Sequence, residues 1–258
     1  MEVYPFSLSL DGAPYFRFPF IYRGTVLPHG GCVLSSRRWG DMRYNPTEES
    51  EPRRIFFSHL GIDASRVAGC VQTHSKVVWP VDFPRWNRYN EGDGLLTQQP
   101  EVWLSVTVAD CLPLYLTDLE GRWRILLHSG WKGTGIVRHA LELLAQMGGV
   151  PPSRVVAVLG PCIRSCCYEV DRERALQFHK DFGFLPGPYP LGPVVRQEGE
   201  DGPYRLDLQA ANAALLAMMG VEHIAYCTDC TMMNEHLGSY RREGPNSYTR
   251  MVALLGSF

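Results

Sequence analysis

The sequence predicts an α/β fold built on a mixed sheet. Three observations carry this. Short runs rich in β-branched and aromatic residues recur along the chain, segments of helical periodicity stand between them, and the central runs are joined by links too short for crossover helices. At 258 residues the chain can bury a substantial core, and it is expected to form one domain over residues 1–258.

The strand-like runs are residues 69–71, 77–78, 103–108, 112–116, 123–127, 155–159 and 224–227. The runs 103–108, 112–116 and 123–127 follow one another closely, which favours antiparallel neighbours, because a parallel connection needs a crossover of about a dozen residues or more. Residues 134–147 place Ile136, Ala140, Leu143, Leu144 and Met147 on one helical face, and Gly148-Gly149 ends that helix. A second helix is expected over 171–182. Asp207 reads as the N-cap of a third over 208–219, with Gly220 placed to close it. Two stretches read as surface loops: 37–54, polar with Pro46 and Pro52, and 185–203, rich in glycine and proline. There is no internal repeat, heptad pattern or charge block.

A formal net charge of −2 supplies no footprint for nucleic acid or an anionic membrane. The opening Met1-Glu2-Val3-Tyr4-Pro5 lacks the basic and apolar regions of a signal peptide, and no apolar run approaches the roughly 20 residues of a membrane span. A cytoplasmic protein is expected. In that setting the eight cysteines are not expected to form disulfides. Cys166 and Cys167 are adjacent and poorly placed to bridge each other. Cys227-x-x-Cys230 has the spacing of half a zinc site or a redox pair, but no second such pair completes it, and a plain thiol pair is the simpler reading.

The most specific chemistry lies at three strand ends. His74 follows Val71-Gln72-Thr73, Cys111 follows Thr107-Val108-Ala109-Asp110, and His128 follows Leu126-Leu127. Two imidazoles and a thiolate are what zinc or copper selects, and three protein ligands leave a position for water or substrate. A lone cysteine is more often a small buried residue; a histidine at the end of a nearby strand changes that reading. His128-Ser129-Gly130-Trp131-Lys132-Gly133 then leads into the 134–147 helix. Backbone amides at a helix start, with glycines and Lys132 beside them, form an anion site, or else a plain capping turn. Trp131 is read as stacking on a planar ligand or packing in the core. Arg241, Arg242 and Arg250 offer guanidinium groups for oxyanions, or a solvated surface.

Seven stretches in order resemble the laccase-domain, or YfiH-like, family: Gln72-Thr73-His74, Asp93-Gly94-Leu95-Leu96-Thr97, Ala109-Asp110-Cys111-Leu112-Pro113, His128-Ser129-Gly130-Trp131-Lys132-Gly133, Gly160-Pro161-Cys162-Ile163, Cys167-Tyr168-Glu169-Val170 and Ser239-Tyr240-Arg241-Arg242. The resemblance implies a mixed-sheet α/β sandwich, distantly similar to a group of cysteine hydrolases. It implies zinc, with copper as the alternative, held by His74, Cys111 and His128 as the catalytic centre. It also implies phosphorolysis of adenosine, inosine, guanosine and methylthioadenosine, with adenosine deamination as a further activity. The partners are then a purine nucleoside and phosphate, with no nucleic acid or membrane, and an oligomeric state that stays open.

Lys132, Arg241 and Arg250 are expected to hold the anion and Trp131 or Tyr168 the purine, while Asn45 matches an asparagine of the family's N-terminal region. Lys132 and Ser129 stand where the family usually has arginine and alanine, and an arginine before Gly30-Gly31 is missing. Two other functions are weighed. A four-copper oxidase needs His-x-His pairs, and the chain has none, although one copper at a His₂Cys site would allow a polyphenol oxidase. A cysteine hydrolase with Cys111 as nucleophile and His128 as base is also coherent, and the family link to peptidoglycan precursor editing would fit it.

Overall fold

Alternation along the central strands decides the architecture. Every residue of strand Leu112–Asp118 is buried, as expected for a strand covered on both faces. Leu114 and Leu116 face one way, into a core shared with helices Ile136–Gly148 and Leu208–Met218, whereas Tyr115 faces the other way, into a core shared with a second sheet. The result is a helix–sheet–sheet–helix sandwich. The computed structural model describes residues 1–9, 14–84, 88–185 and 191–257.

The larger sheet has seven strands in the order Glu2–Phe6, His223–Cys227, Val155–Leu159, Leu112–Asp118, Arg124–Ser129, Gly94–Thr97 and Val78–Pro80. Its first two pairings and its last are parallel and the rest antiparallel, so the sheet is mixed, as expected. The second sheet has five strands in the order Tyr15–Phe18, Gly31–Ser35, Met251–Gly256, Trp103–Val108 and Val67–Ala68. Val106, Val108, Ala253 and Leu255 from it meet Tyr115, Leu126, Val156 and Val158 from the larger sheet. On its outer face Val33, Val252 and Leu254 pack on Phe56 and Phe57 of helix Glu51–His59.

Several expectations are corrected. Strand Trp103–Val108 is not a neighbour of Leu112–Asp118; the chain leaves one sheet and enters the other through Ala109-Asp110-Cys111. A short link is thus compatible with a sheet-to-sheet crossing as well as a hairpin. The 69–71 run forms only an isolated bridge at Val71, the strand itself being Val67–Ala68. The 37–54 stretch is not wholly loop, because helix Glu51–His59 begins within it, with Pro52 in its first turn where proline is tolerated. Arg53 of that helix is fully buried, ion-paired with Glu49 at 2.6 Å and donating to Ser105 Oγ, and it anchors the stretch. In 185–203, Val195–Gln197 pairs with Tyr204–Leu206, and residues 186–190 lie outside the described set.

The predicted helices form with small shifts. Asp171 and Asp207 cap theirs by accepting from Arg174 and Ala210 amides, and Gly149, at φ 63°, ends Ile136–Gly148. The buried face of Ile136–Gly148 is Ile136, Val137, Ala140, Leu141 and Leu144, with Met147 left exposed. No helix among the described residues is long and apolar enough to cross a membrane.

Candidate active site

Strand register brings the three residues together. His128 lies inside strand Arg124–Ser129 rather than beyond its end, opposite Pro113 of the neighbouring strand. Cys111, just before Leu112, therefore falls beside the far end of the His128 strand. Gly130 completes the fit, since a Cβ there would sit 2.8 Å from Cys111 Sγ and 3.1 Å from His74 Cδ2. His74 arrives on a loop from elsewhere. Its backbone is left-handed at φ 59°, a conformation that costs a non-glycine residue about 1–3 kcal/mol unless its surroundings enforce it. Asp93 enforces it, because its carboxylate accepts the amides of Thr73, His74 and Ser75 and the Ser75 hydroxyl. Gln72 ties the same loop to the second sheet, its side-chain amide pairing both ways with the Thr107 backbone at 2.6 and 2.9 Å.

One nitrogen or sulfur from each of His74, Cys111 and His128 lies within 4.8 Å of the others, and the two imidazoles meet edge-on with centroids 4.9 Å apart. Asp93 Oδ1 holds Nδ1 of His128 at 2.7 Å, which leaves Nε2 as the ring nitrogen free to face Cys111. Burial pushes the Cys111 thiol up, but the charge and hydrogen bonds of His128 and His74 outweigh it and hold the thiol down at about 6. Burial pushes His128 down, and the Cys111 thiolate and Asp93 outweigh that and raise it to about 10. The metal-free pair is therefore thiolate and imidazolium near neutral pH. The donor set suits a soft or borderline cation, and a histidine fixed by a carboxylate at its other nitrogen is the usual support of such a ligand.

The three residues lie in a cleft of about 640 Å³, a volume suited to a small organic ligand. Tyr44, Trp131, Tyr168, Tyr240 and Tyr248 give it aromatic walls, and Arg43, Arg174, Arg241 and Arg250 give it positive charge. Arg174 lies over Trp131 at 4.7 Å, Arg241 over Tyr168 at 5.7 Å, and Arg250 over Tyr248 at 4.3 Å while pairing with Asp41 at 2.5 Å. Asp110 locks this wall to the Cys111 turn by accepting from Thr231, Ser239 and the Arg241 amide.

Trp131, Arg241 and Arg250 thus line the cleft, but Lys132 and Asn45 do not. Lys132 lies 5.5 Å from the Trp131 ring and lines a separate hollow that shares Trp131 with the cleft. The helix after this turn begins at Ile136, whose amide donates to Gly133 O at 3.0 Å. Asn45 is exposed and its Oδ1 accepts from the amide and hydroxyl of Thr47. Asp93 and Gln72, which stand in the family stretches without an expected role, support the site, and Arg43 and Arg174 join the cleft unexpected. For Asp93 a signal existed, an acidic residue directly before the predominantly apolar run Gly94-Leu95-Leu96-Thr97.

Residues 39–257 match the family model described as multi-copper polyphenol oxidoreductase laccase. A purine nucleoside phosphorylase from Deinococcus radiodurans is 33% identical over 231 residues, 89% of this chain and 83% of that protein. Purine nucleoside phosphorylase YlmD from Geobacillus stearothermophilus is 34% identical over 168 residues, 64% of this chain, and the match spans 59% of that relative's length. The crystal structure of YlmD from the same organism superposes with a TM-score of 0.78 at 28% identity, covering 93% of this chain and 96% of that one. The Bacillus licheniformis protein YfiH shares the fold, with a TM-score of 0.79 at 24% identity over 97% of this chain and 99% of that one.

Proposed function

The chain belongs to the multi-copper polyphenol oxidoreductase laccase family, and from its relatives named purine nucleoside phosphorylase we propose that it is a zinc-dependent enzyme of that kind. The observation that supports this most is the composition of the cleft: aromatic faces and guanidinium groups converge on a His₂Cys donor set. His74, Cys111 and His128 would hold the metal, which when bound supplies a Lewis acid for an oxygen of phosphate or water. Asp93 keeps His128 in the ligating tautomer and His74 in its left-handed turn. Arg241 and Arg250, with Arg43 and Arg174 nearby, bind and orient the phosphate dianion through charge-assisted hydrogen bonds. Trp131 and Tyr168 hold the purine by stacking. In phosphorolysis a phosphate oxygen bonds to the anomeric carbon as the glycosidic C–N bond breaks, and the purine leaves with the bonding pair and takes up a proton. Adenosine, inosine, guanosine and methylthioadenosine all present that bond, and adenosine deamination is the further activity to test.

A second reading rests on the same chain of contacts. Asp93, His128 and Cys111 are arranged as orienting acid, base and nucleophile, which suits a cysteine hydrolase. A polyphenol oxidase with several coppers has less support, because among the described residues the two groups able to hold a metal are His74–Cys111–His128 and a separate set of cysteines. Zinc-loaded protein with adenosine and phosphate is expected to release adenine and ribose 1-phosphate, identified by mass, and to leave phenols untouched, since zinc has no redox chemistry. Nucleoside cleavage absent under every metal and phosphate condition, with copper-dependent phenol oxidation, would overturn the proposal. Hydrolysis that persists after chelation and is abolished by thiol alkylation would favour the cysteine hydrolase.

A further inference from the structure

Three cysteines gather outside the cleft, on the turns that follow two neighbouring strands. Cys166, Cys167 and Cys230 bring their sulfurs within 4.8 Å of one another, those of Cys166 and Cys167 lying 3.5 Å apart. None lines the cleft. Strand pairing is what assembles them. Val155–Leu159 and His223–Cys227 are parallel neighbours, and the pairing resumes beyond both strands in an isolated bridge between Cys162 and Cys230. The turns that follow the two strands are thereby held side by side, and they carry Cys166-Cys167 on one and Cys230 on the other.

We propose that Cys166, Cys167 and Cys230 form a second metal site, selective for a thiophilic cation that is satisfied by three sulfurs, copper(I) rather than zinc. Distance is the first argument. Two thiolates on one ion with bonds of about 2.3 Å lie about 3.8–4.0 Å apart for tetrahedral to trigonal angles. The observed separations, 3.5 Å for one pair and no more than 4.8 Å for any, bracket that spacing, so small side-chain rotations suffice.

Donor count is the second argument. A closed zinc site takes four protein ligands, and among the described residues no histidine or carboxylate joins this group. Sulfur-only ligation selects copper(I) among the alternatives, and a trigonal shell completes it.

The surroundings are the third. The Arg164 amide donates to Cys230 Sγ at 3.4 Å, a contact that favours the thiolate. Three thiolates and one monovalent ion total −2, and Arg164 and Arg205 lie beside them, each also facing a carboxylate, Asp207 at 3.9 Å and Glu198 at 3.3 Å; Arg205 bonds the Cys166 carbonyl. Exposure is graded, with Cys166 open to solvent, Cys167 half-buried and Cys230 buried, so an ion has an entry side and a closed floor. Occupancy would staple two turns that bear on the cleft, since Cys167 precedes Tyr168 and Cys230 precedes Thr231, the partner of Asp110.

The test is a titration of reduced, oxygen-free protein with copper(I) in competition with a chromogenic copper(I) chelator. Wild type, Cys166→Ser, Cys167→Ser and Cys111→Ala are compared, with thermal unfolding as the check that each is folded. Cys166→Ser and Cys167→Ser are expected each to lose one tightly held equivalent that Cys111→Ala retains. X-ray absorption of Cys111→Ala loaded with one equivalent should show three sulfur neighbours. Because Cys166 is exposed, its serine variant should fold normally. Equal copper(I) stoichiometry in wild type and both serine variants would overturn the site. Displacement of the ion by an equal concentration of zinc would overturn the selectivity. A disulfide between two of these cysteines in freshly isolated protein, revealed by alkylation and mass, would show a redox pair in place of a metal site.

Discussion

The Asp93 carboxylate accepts three consecutive loop amides and holds Nδ1 of His128, so one buried side chain sets the position of His74 and the orientation of His128 together. It stays ionised in spite of burial, which pushes its carboxyl up, because the hydrogen bond and charge of His128 and the Ser75 contacts hold it below its usual value. The thiolate of Cys111 depends on the same chain of charge. A thiol whose ionisation lies at about 6 instead of the ordinary 9.0 is deprotonated throughout the neutral range. In metal-free protein, alkylation of Cys111 by iodoacetamide should therefore rise with pH through about 6 and be on its plateau at neutral pH, where an ordinary thiol is still climbing. Asp93→Asn removes charge from behind His128 and should move that inflection upward. An inflection near 9.0 in the wild type would show that the ion pair does not form.

At the scale of elements, the site is a meeting of strand ends from both sheets. Trp103–Val108 ends in one sheet, Leu112–Asp118 starts in the other, and Cys111 sits in the crossing between them. Arg124–Ser129 delivers His128 by its register with Leu112–Asp118 and with Gly94–Thr97, whose preceding residue is Asp93. Gly130 is required by approach, not by its backbone angles, because any Cβ meets the sulfur of Cys111. Gly130→Ala should keep the fold, with an unfolding midpoint within a few degrees of wild type. It should lower metal affinity or turnover roughly tenfold or more, since a misplacement of about 1 Å in a catalytic set costs on the order of 100-fold. Full activity in that variant would mean that the cluster relaxes without cost.

For the whole molecule, the cleft is made by parts of the chain that are far apart in sequence. Arg43 and Tyr44 come from the N-terminal stretch anchored by buried Arg53, Trp131 from the centre, and Arg241 and Arg250 from the C-terminal segment locked down by Asp110. Cations that reach the cleft should govern phosphate use, and cations outside it should not. Arg241→Ala is expected to raise the phosphate KM about tenfold or more, the size of a charge-assisted contact of ~1.5–3 kcal/mol. Lys132→Ala, in the separate hollow, should leave the phosphate KM unchanged. The opposite ranking would move the anion site to the hollow that Lys132 lines.

Local pattern and chemistry were legible in the chain. Runs rich in β-branched and aromatic residues marked the central strands, Asp171, Asp207 and Gly149 marked helix ends, and two histidines and a cysteine at strand ends marked the candidate centre, because each of these signals is written in neighbouring residues. Pairing was not legible. The same short link serves a hairpin or a crossing between sheets, so nothing local shows that Trp103–Val108 pairs with the distant Met251–Gly256. Nor does sequence show that Asp93 faces His128 across a strand pair, that Lys132 falls outside the cleft, or that Cys230 meets Cys166 and Cys167. Residue types settle which chemistry a side chain can perform; long-range register and the packing of two sheets settle which side chains perform it together.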